Sequence, residues 1–259
     1  MGNSDNKTCV GDLRAIAGFL LDFADSLMAA GTQTSRIVRN LERLANNFGC
    51  RADIIILPKT VIMTVTAGGH TLTRVKKFSP PLPDFTVLSE LRILSWEAYR
   101  NKWSLAQCRR RFAEIKRGGR IDWRIVAAIV SVGNAAFCQL FGGFYSVPLI
   151  FFTTLAGFLT RRFLEHRGVG ILMRTFAAAF VSSMLAGTGA WLFDFKTAIA
   201  ISTSVLYLVP GVPLLNALID IFDGHVLAGF SRLANASAII FVMTVGLLVS
   251  LWIFGGTVL

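Results

Sequence analysis

Asn216 and Asp220 stand four residues apart in the stretch LYLVPGVPLLNALIDIFDGH, residues 206–225. On a helix that spacing puts both side chains on one face. A carboxylate in an apolar run is costly if it faces lipid, so it is expected to face a cavity or a partner group, where it could take up and release a proton. The competing reading places Asp220 at the aqueous interface with Asp223 and Gly224, where a carboxylate is merely solvated. Both readings are open at this point.

The same stretch carries Pro210, Gly211 and Pro213. Each proline lacks a backbone donor and clashes with a preceding carbonyl, so a helix starting near Thr197 is expected to stop or kink near Tyr207 to Val209. A new half-helix can start near Pro213, because proline suits a first turn. Broken backbone at membrane depth is tolerated where protein or a water-filled cavity satisfies its polar groups. Transporters use such breaks: the freed N–H groups and the positive half-helix end hold an anionic group, and freed carbonyls hold a cation. A plain Pro-Gly loop is the alternative.

Further polar candidates are scattered. Asn134 and Gln139 in an apolar run either line a path or hydrogen-bond between helices. Arg174, about a turn into another apolar segment, either meets a carboxylate or snorkels to the interface. Thr32 and Thr34 beside Arg36 have the side chains of hydrolase nucleophiles, but no base is evident near them and helix capping accounts for them better. The histidines are His70, His166 and His225, with no HExxH, GxSxG or Walker pattern. Cys9, Cys50, Cys108 and Cys138 never form a CxxC pair, so neither a metal nor redox chemistry is signalled.

These residues must be held by two kinds of element. From about Leu13 to Asn47 apolar residues recur at helical spacing, and Gly31 with GTQTSR divides the run into two helices, Thr32 or Thr34 serving as the second N-cap. ADIIILP, TVIMTVTA and HTLTRVKKF are β-branched runs separated by Pro58-Lys59 and Gly68-Gly69, which predicts two or three antiparallel strands. SPPLPDF, residues 79–85, reads as an extended connector. Amphipathic helices follow over Asp84 to Trp103 and Ser104 to Lys116, with Asp84 and Ser104 at capping positions. Beyond Arg120 come five apolar segments, about 124–141, 146–160, 168–192, 197–222 and 234–254, each near the roughly 17 to 25 residues that span a bilayer. In the third, Ala178, Ser182 and Ala186, or Ser183 and Gly187, repeat every fourth residue and allow close helix packing in lipid.

Composition agrees with a membrane protein: 54% of the 259 residues are hydrophobic and only 16% are charged. Up to Arg124 there are 20 Lys and Arg against 11 Asp and Glu, and 6 against 4 thereafter. The net charge of +11 fits the cytoplasmic flanks of spans better than nucleic-acid binding, for which no recognition element is present. Arg109 to Arg124 crowd the entry to the first span, and Arg161, Arg162 and Arg167 lie between the second and third. These flanks predict a cytoplasmic N-terminus and, after five crossings, a C-terminus outside. The expected architecture is a cytoplasmic α+β domain over residues 1–120, then an α-helical bundle of about five transmembrane helices over residues 121–259, the fourth broken at Pro210–Pro213.

GTQTSRIVRNLERLANNFG, SPPLPDF and LVPGVPLLNALIDIFDGHVLAGFSRL together resemble the threonine/serine exporter family, whose G-x-x-T-x-R helix, connector and membrane signature they match in order. That resemblance implies a transporter and no enzyme, although the family's front domain has been described as hydrolase-like. Fused members carry a second membrane portion that is missing here. The chain therefore resembles the larger subunit of the split form, similar to a bacterial inner-membrane exporter pair associated with succinate. A small multi-span membrane partner in a hetero-oligomer is implied, with threonine, serine or a C4 dicarboxylate as solute and no cofactor. Gly31, Thr34 and Arg36 match the cytoplasmic motif; Pro210, Gly211, Pro213, Asn216 and Asp220 match the membrane motif. With Asn134, these last five are the expected translocation residues. A structural or regulatory subunit, or a membrane-anchored hydrolase, are the alternatives.

Overall fold

The computed structural model describes residues 2–78, 84–118, 121–141, 146–193 and 197–254. The chain forms two compact units: Met1–Arg120 with Val212–Leu233, and Ile121–Gly211 with Ala234–Leu259.

The first unit opens with α1 (Gly2–Ala29) and α2 (Thr34–Asn47). Gly31, at φ +89°, makes the turn between them, a conformation that costs glycine little. Helix α1 begins well before Leu13, where the apolar periodicity sets in. Neither Thr32 nor Thr34 caps α2: the N-cap is Gln33, without a side-chain bond, and Thr34 is the first helical residue. The acceptor for this helix end comes from elsewhere in the chain, as described below.

Three strands follow as an antiparallel meander, β1 (Arg51–Leu57), β2 (Thr60–Ala67) and β3 (His70–Lys77), in the order β1-β2-β3. The two-residue turns fall at Pro58-Lys59 and Gly68-Gly69 as expected, and both glycines have positive φ, as a tight hairpin turn requires. Alternate residues Val61, Met63 and Val65 of β2 are buried. They meet Leu20, Phe23 and Leu27 of α1 and Ile37, Leu41 and Leu44 of α2 in one core.

Most of the connector SPPLPDF, residues 79–83, lies outside the described residues. Helix α3 (Phe85–Arg100) is capped by Asp84, which accepts from the N–H groups of Thr86 and Val87. Ser104 caps α4 (Leu105–Arg117) in a capping box with Gln107, so both caps sit where the sequence put them. Leu91, Leu94, Cys108 and Phe112 close the core, with Phe112 edge-on to Phe19 at 5.7 Å.

Among its described residues the second unit has helices and no strand: α5 (Trp123–Cys138), α6 (Val147–His166), α7 (Ile171–Leu192) and α8 (Thr197–Ser204). A 3₁₀ turn over Leu206–Leu208 follows α8. Then come α9 (Gly211–Phe222), whose residues from Val212 belong to the first unit, and α10 (Val226–Phe254), divided between the units after Leu233. Both small-residue rows of α7 are buried: Ala178, Ser182, Ala186, Ser183 and Gly187. A methyl group on Gly157 of α6 would collide with Ser182 Oγ and Tyr207 Oη, so the missing side chain sets the α6–α7 spacing. Ser183 and Ser250 hydroxyls meet at 2.6 Å.

Among the described residues three helices, α6, α7 and α10, are long and apolar enough to cross a membrane. Ala198–Leu208 with Gly211–Phe222 makes a fourth if a pair bent by 60° counts as one span, and α5 is a shorter apolar helix. The backbone breaks where the prolines predict: Val209 is extended at φ −62°, ψ 123°, as a residue before proline prefers. The new helix starts at Gly211, two residues ahead of the expected Pro213, which sits in its first turn.

Candidate functional site

Helix α9 is exposed along most of its surface but buries Asn216, Ala217 and Asp220, the single face their spacing predicts. Asp220 is completely buried and is not the solvated interfacial carboxylate of one sequence reading. Its partner is the N-terminus of α2. The Thr34 N–H donates to Asp220 Oδ1 at 2.8 Å, and Thr34 Oγ1 donates to Asp220 Oδ2 at 2.9 Å. The carboxylate thus supplies from 186 positions away the acceptor that neither local threonine provides. The N-terminal end of a helix carries a partial positive charge, which favours an anion there.

Asn216, one turn earlier, donates from Nδ2 to the Gly31 carbonyl at 2.7 Å. The two members of the α9 pair therefore hold both ends of the α1–α2 turn. Two motifs that stand apart in the sequence, Gly31-Thr34 and Asn216-Asp220, are one site in the fold.

Arg232 completes it. Its Nε lies 3.3 Å from Asp220 Oδ2, its Nη1 donates to the Thr32 carbonyl at 3.0 Å, and its Nη2 lies 2.9 Å from Met28 Sδ. The α9–α10 hairpin brings it there. Gly224, at φ +85°, turns the chain, and His225 N–H donates to the Asp220 carbonyl at 2.8 Å. A Cβ on Gly229 would lie 2.7 Å from the Ala217 carbonyl and 2.9 Å from Ile221 N. The glycine thus lets the two backbones touch, one turn from Arg232. The ion pair neutralises the buried carboxylate, and its hydrogen bonds fill both oxygens, the condition under which a buried charge is tolerated.

Arg232 was missed from sequence, yet a signal existed. It is the sole Lys or Arg after Lys196, and an ionisable pair in an apolar stretch is expected to be mutual. The remaining predicted residues sit differently. Arg36 is exposed, Pro210 is half-buried, and Gly211 and Pro213 are exposed. Asn134 belongs to the second unit, where Nδ2 donates to Thr154 Oγ1 at 2.7 Å and to the Thr203 carbonyl at 3.1 Å. It ties α5 to α6 and α8. Arg174 pairs with Glu165 at 2.7 Å. Among the described residues no group of His, Cys, Asp and Glu could hold a metal ion.

The cluster has the residues of a nucleophile and a base, Thr34 beside Asp220, but the carboxylate is shared among Thr34 N–H, Thr34 Oγ1 and Arg232 in the manner of a cap. Comparison with known proteins points the same way. The family model described as "Putative threonine/serine exporter" matches residues 18–254. Two relatives named "Probable succinate transporter subunit YjjP", from Klebsiella aerogenes and Escherichia coli strain K12, are each 27% identical over 93% of this chain and cover 95% and 96% of their own lengths. No solved structure matches. These are the names of a transporter subunit and not of an enzyme. With the match running from α1 to the end of α10 and taking in both halves of the Thr34–Asp220 cluster, the chain is a membrane protein that belongs to the threonine/serine exporter family, ThrE.

Proposed function

We propose that the chain is one subunit of a secondary transporter that exports a small polar metabolite across the bacterial inner membrane, threonine or serine or a C4 dicarboxylate such as succinate. A small multi-span membrane protein supplies the rest of the exporter. The α+β domain of residues 1–120 is cytoplasmic, and residues 121–259 form the membrane domain. An ion gradient drives the cycle, since the sequence has no nucleotide-binding motif. Asp220 is the proton or ion carrier, the Pro210–Pro213 break is the gate, and Asn216 and Asn134 line the route. The observation that carries this reading is a fully buried carboxylate on the half-helix that follows the break, the kind of group expected to be functional in a membrane segment.

The test is solute efflux from vesicles holding this chain and its partner. Wild type is expected to carry the solute, and Asp220→Asn to lose at least tenfold in rate. Full activity of Asp220→Asn would remove the carrier role. A second reading, a regulatory or assembly subunit, is favoured by the way Asp220 is engaged on α2 and Arg232, as a latch would be. Transport by the partner alone would select that reading.

A further inference from the structure

We propose that the N-terminal end of α2 is a binding site for a solute carboxylate, and that Asp220 is its internal occupant, displaced when the solute binds. The inference rests on the transporter reading for its choice of solute. It goes beyond that reading by naming the atoms that receive it.

Three observations carry it. The first is that the group now held there is itself a carboxylate, with both oxygens bound by Thr34 and Arg232. A free carboxylate has the same atoms and the same donors to satisfy. The second is surplus donor capacity. The hydroxyls of Thr32 and Ser35, on either side of Thr34, are buried without a hydrogen-bond partner, and Thr32 is only 3% exposed. Thr32 belongs to the cluster because its carbonyl takes the same guanidinium that holds Asp220. Leaving a buried hydroxyl without a partner is costly, so such groups call for an explanation. The third is the use made of Arg232. Its Nη2 rests on the Met28 thioether, a weak acceptor for a charged donor. A second anionic oxygen at this end of α2 would be a stronger partner for that nitrogen.

The site is therefore filled by an internal ligand that leaves donors unused. A helix end with a guanidinium and hydroxyls matches a carboxylate better than a cation or an apolar solute. Competition follows from charge: Arg232 neutralises one carboxylate, and a second cannot enter while Asp220 stays.

Full-length chain in lipid nanodiscs, titrated calorimetrically with succinate and separately with threonine, tests this. Asp220→Asn removes the competing charge and keeps the shape, so it is expected to bind at least one of the two at least tenfold more tightly than wild type. Adding Thr34→Val should reverse most of that gain. Thr32→Val, which leaves the Asp220–Arg232 pair intact and so guards against misfolding, should weaken binding in the wild-type background. Equal or weaker binding by Asp220→Asn, or an undiminished gain in the double variant, or unchanged affinity in Thr32→Val, would overturn the site. Efflux from vesicles with the partner is read separately. Flux without these affinity changes leaves the transporter reading standing and removes the site; the affinity changes without flux do the reverse.

Discussion

Thr34 gives Asp220 two hydrogen bonds from one residue, and only one of them comes from its side chain. Thr34→Val keeps the N–H bond and loses the hydroxyl bond to a charged acceptor, a change worth about 1.5–3 kcal/mol. Asp220→Ala removes the acceptor for both and leaves Arg232 buried without its counter-charge, which costs roughly 3–5 kcal/mol. The expected order of stability is wild type, Thr34→Val, Asp220→Ala, read by thermal unfolding of the detergent-solubilised chain. Equal stability of the two variants would mean that the ion pair and the N–H bond add nothing beyond the hydroxyl bond. A second residue-scale prediction concerns Cys108, fully buried in the α+β core. Burial pushes its thiol up to about 11, whereas an unfolded thiol ionises near 8.5. Above that lower value the unfolded state releases its proton first, so stability is present below about 8.5 and declines as pH rises towards 11. Alkylation at pH 8 should therefore reach Cys108 only on unfolding. Ready modification of the folded chain at that position would contradict the burial.

At the scale of elements, the α9–α10 hairpin is held at contact distance by Gly229, and the cluster depends on that distance. Gly229→Val forces a side chain against the Ala217 carbonyl at 2.7 Å, where backbone cannot give way cheaply. Overpacking of this kind costs roughly 1–3 kcal/mol. It should also separate Arg232 from Asp220, so efflux is expected to fall with stability. Gly133→Ala in α5 is the control, because a Cβ there meets nothing within 4 Å, and it should leave both properties unchanged. Equal behaviour of the two variants would refute the close approach. What was legible in the sequence at this scale was whatever is locally encoded: the Gly68-Gly69 hairpin, the caps Asp84 and Ser104, and the break before Pro210. Each depends on residues within a few positions of one another. The cap of α2 was not legible. Thr32 and Thr34 are typical capping residues in a typical place, and the local rule fails because a buried carboxylate from α9 takes the N–H of Thr34 instead. Likewise Asn216 and Asp220 could be placed on one face, but a face does not name what it touches. The starts of α1 and α10 fell earlier than hydropathy suggests, since helical hydrogen bonding continues through polar turns that an apolar pattern does not register.

For the whole molecule the number of crossings turns on α5. Sixteen residues in α5 at 1.5 Å each give about 24 Å, short of the roughly 30 Å hydrocarbon core. The 3₁₀ turn of three residues that follows, Gln139–Phe141, adds about 6 Å at its steeper rise. Together they reach the required length. Ile125, Ile129, Val132 and Leu140 are exposed large apolar side chains of this segment, an arrangement that suits lipid and is costly in water. We therefore expect α5 to cross, giving five crossings in all with the bent pair counted as one. The charge pattern makes the same demand, because Arg161, Arg162 and Arg167 then fall on the side of the basic front half. A reporter active only outside the cytoplasm should be silent when inserted at Gly168 and active when fused after Leu259. If α5 does not cross, both signals invert: the reporter becomes active at Gly168, the arginine-rich flank lies outside, and the C-terminus stays with the α+β domain. The two positions thus separate five crossings from four without relying on the helix boundaries themselves.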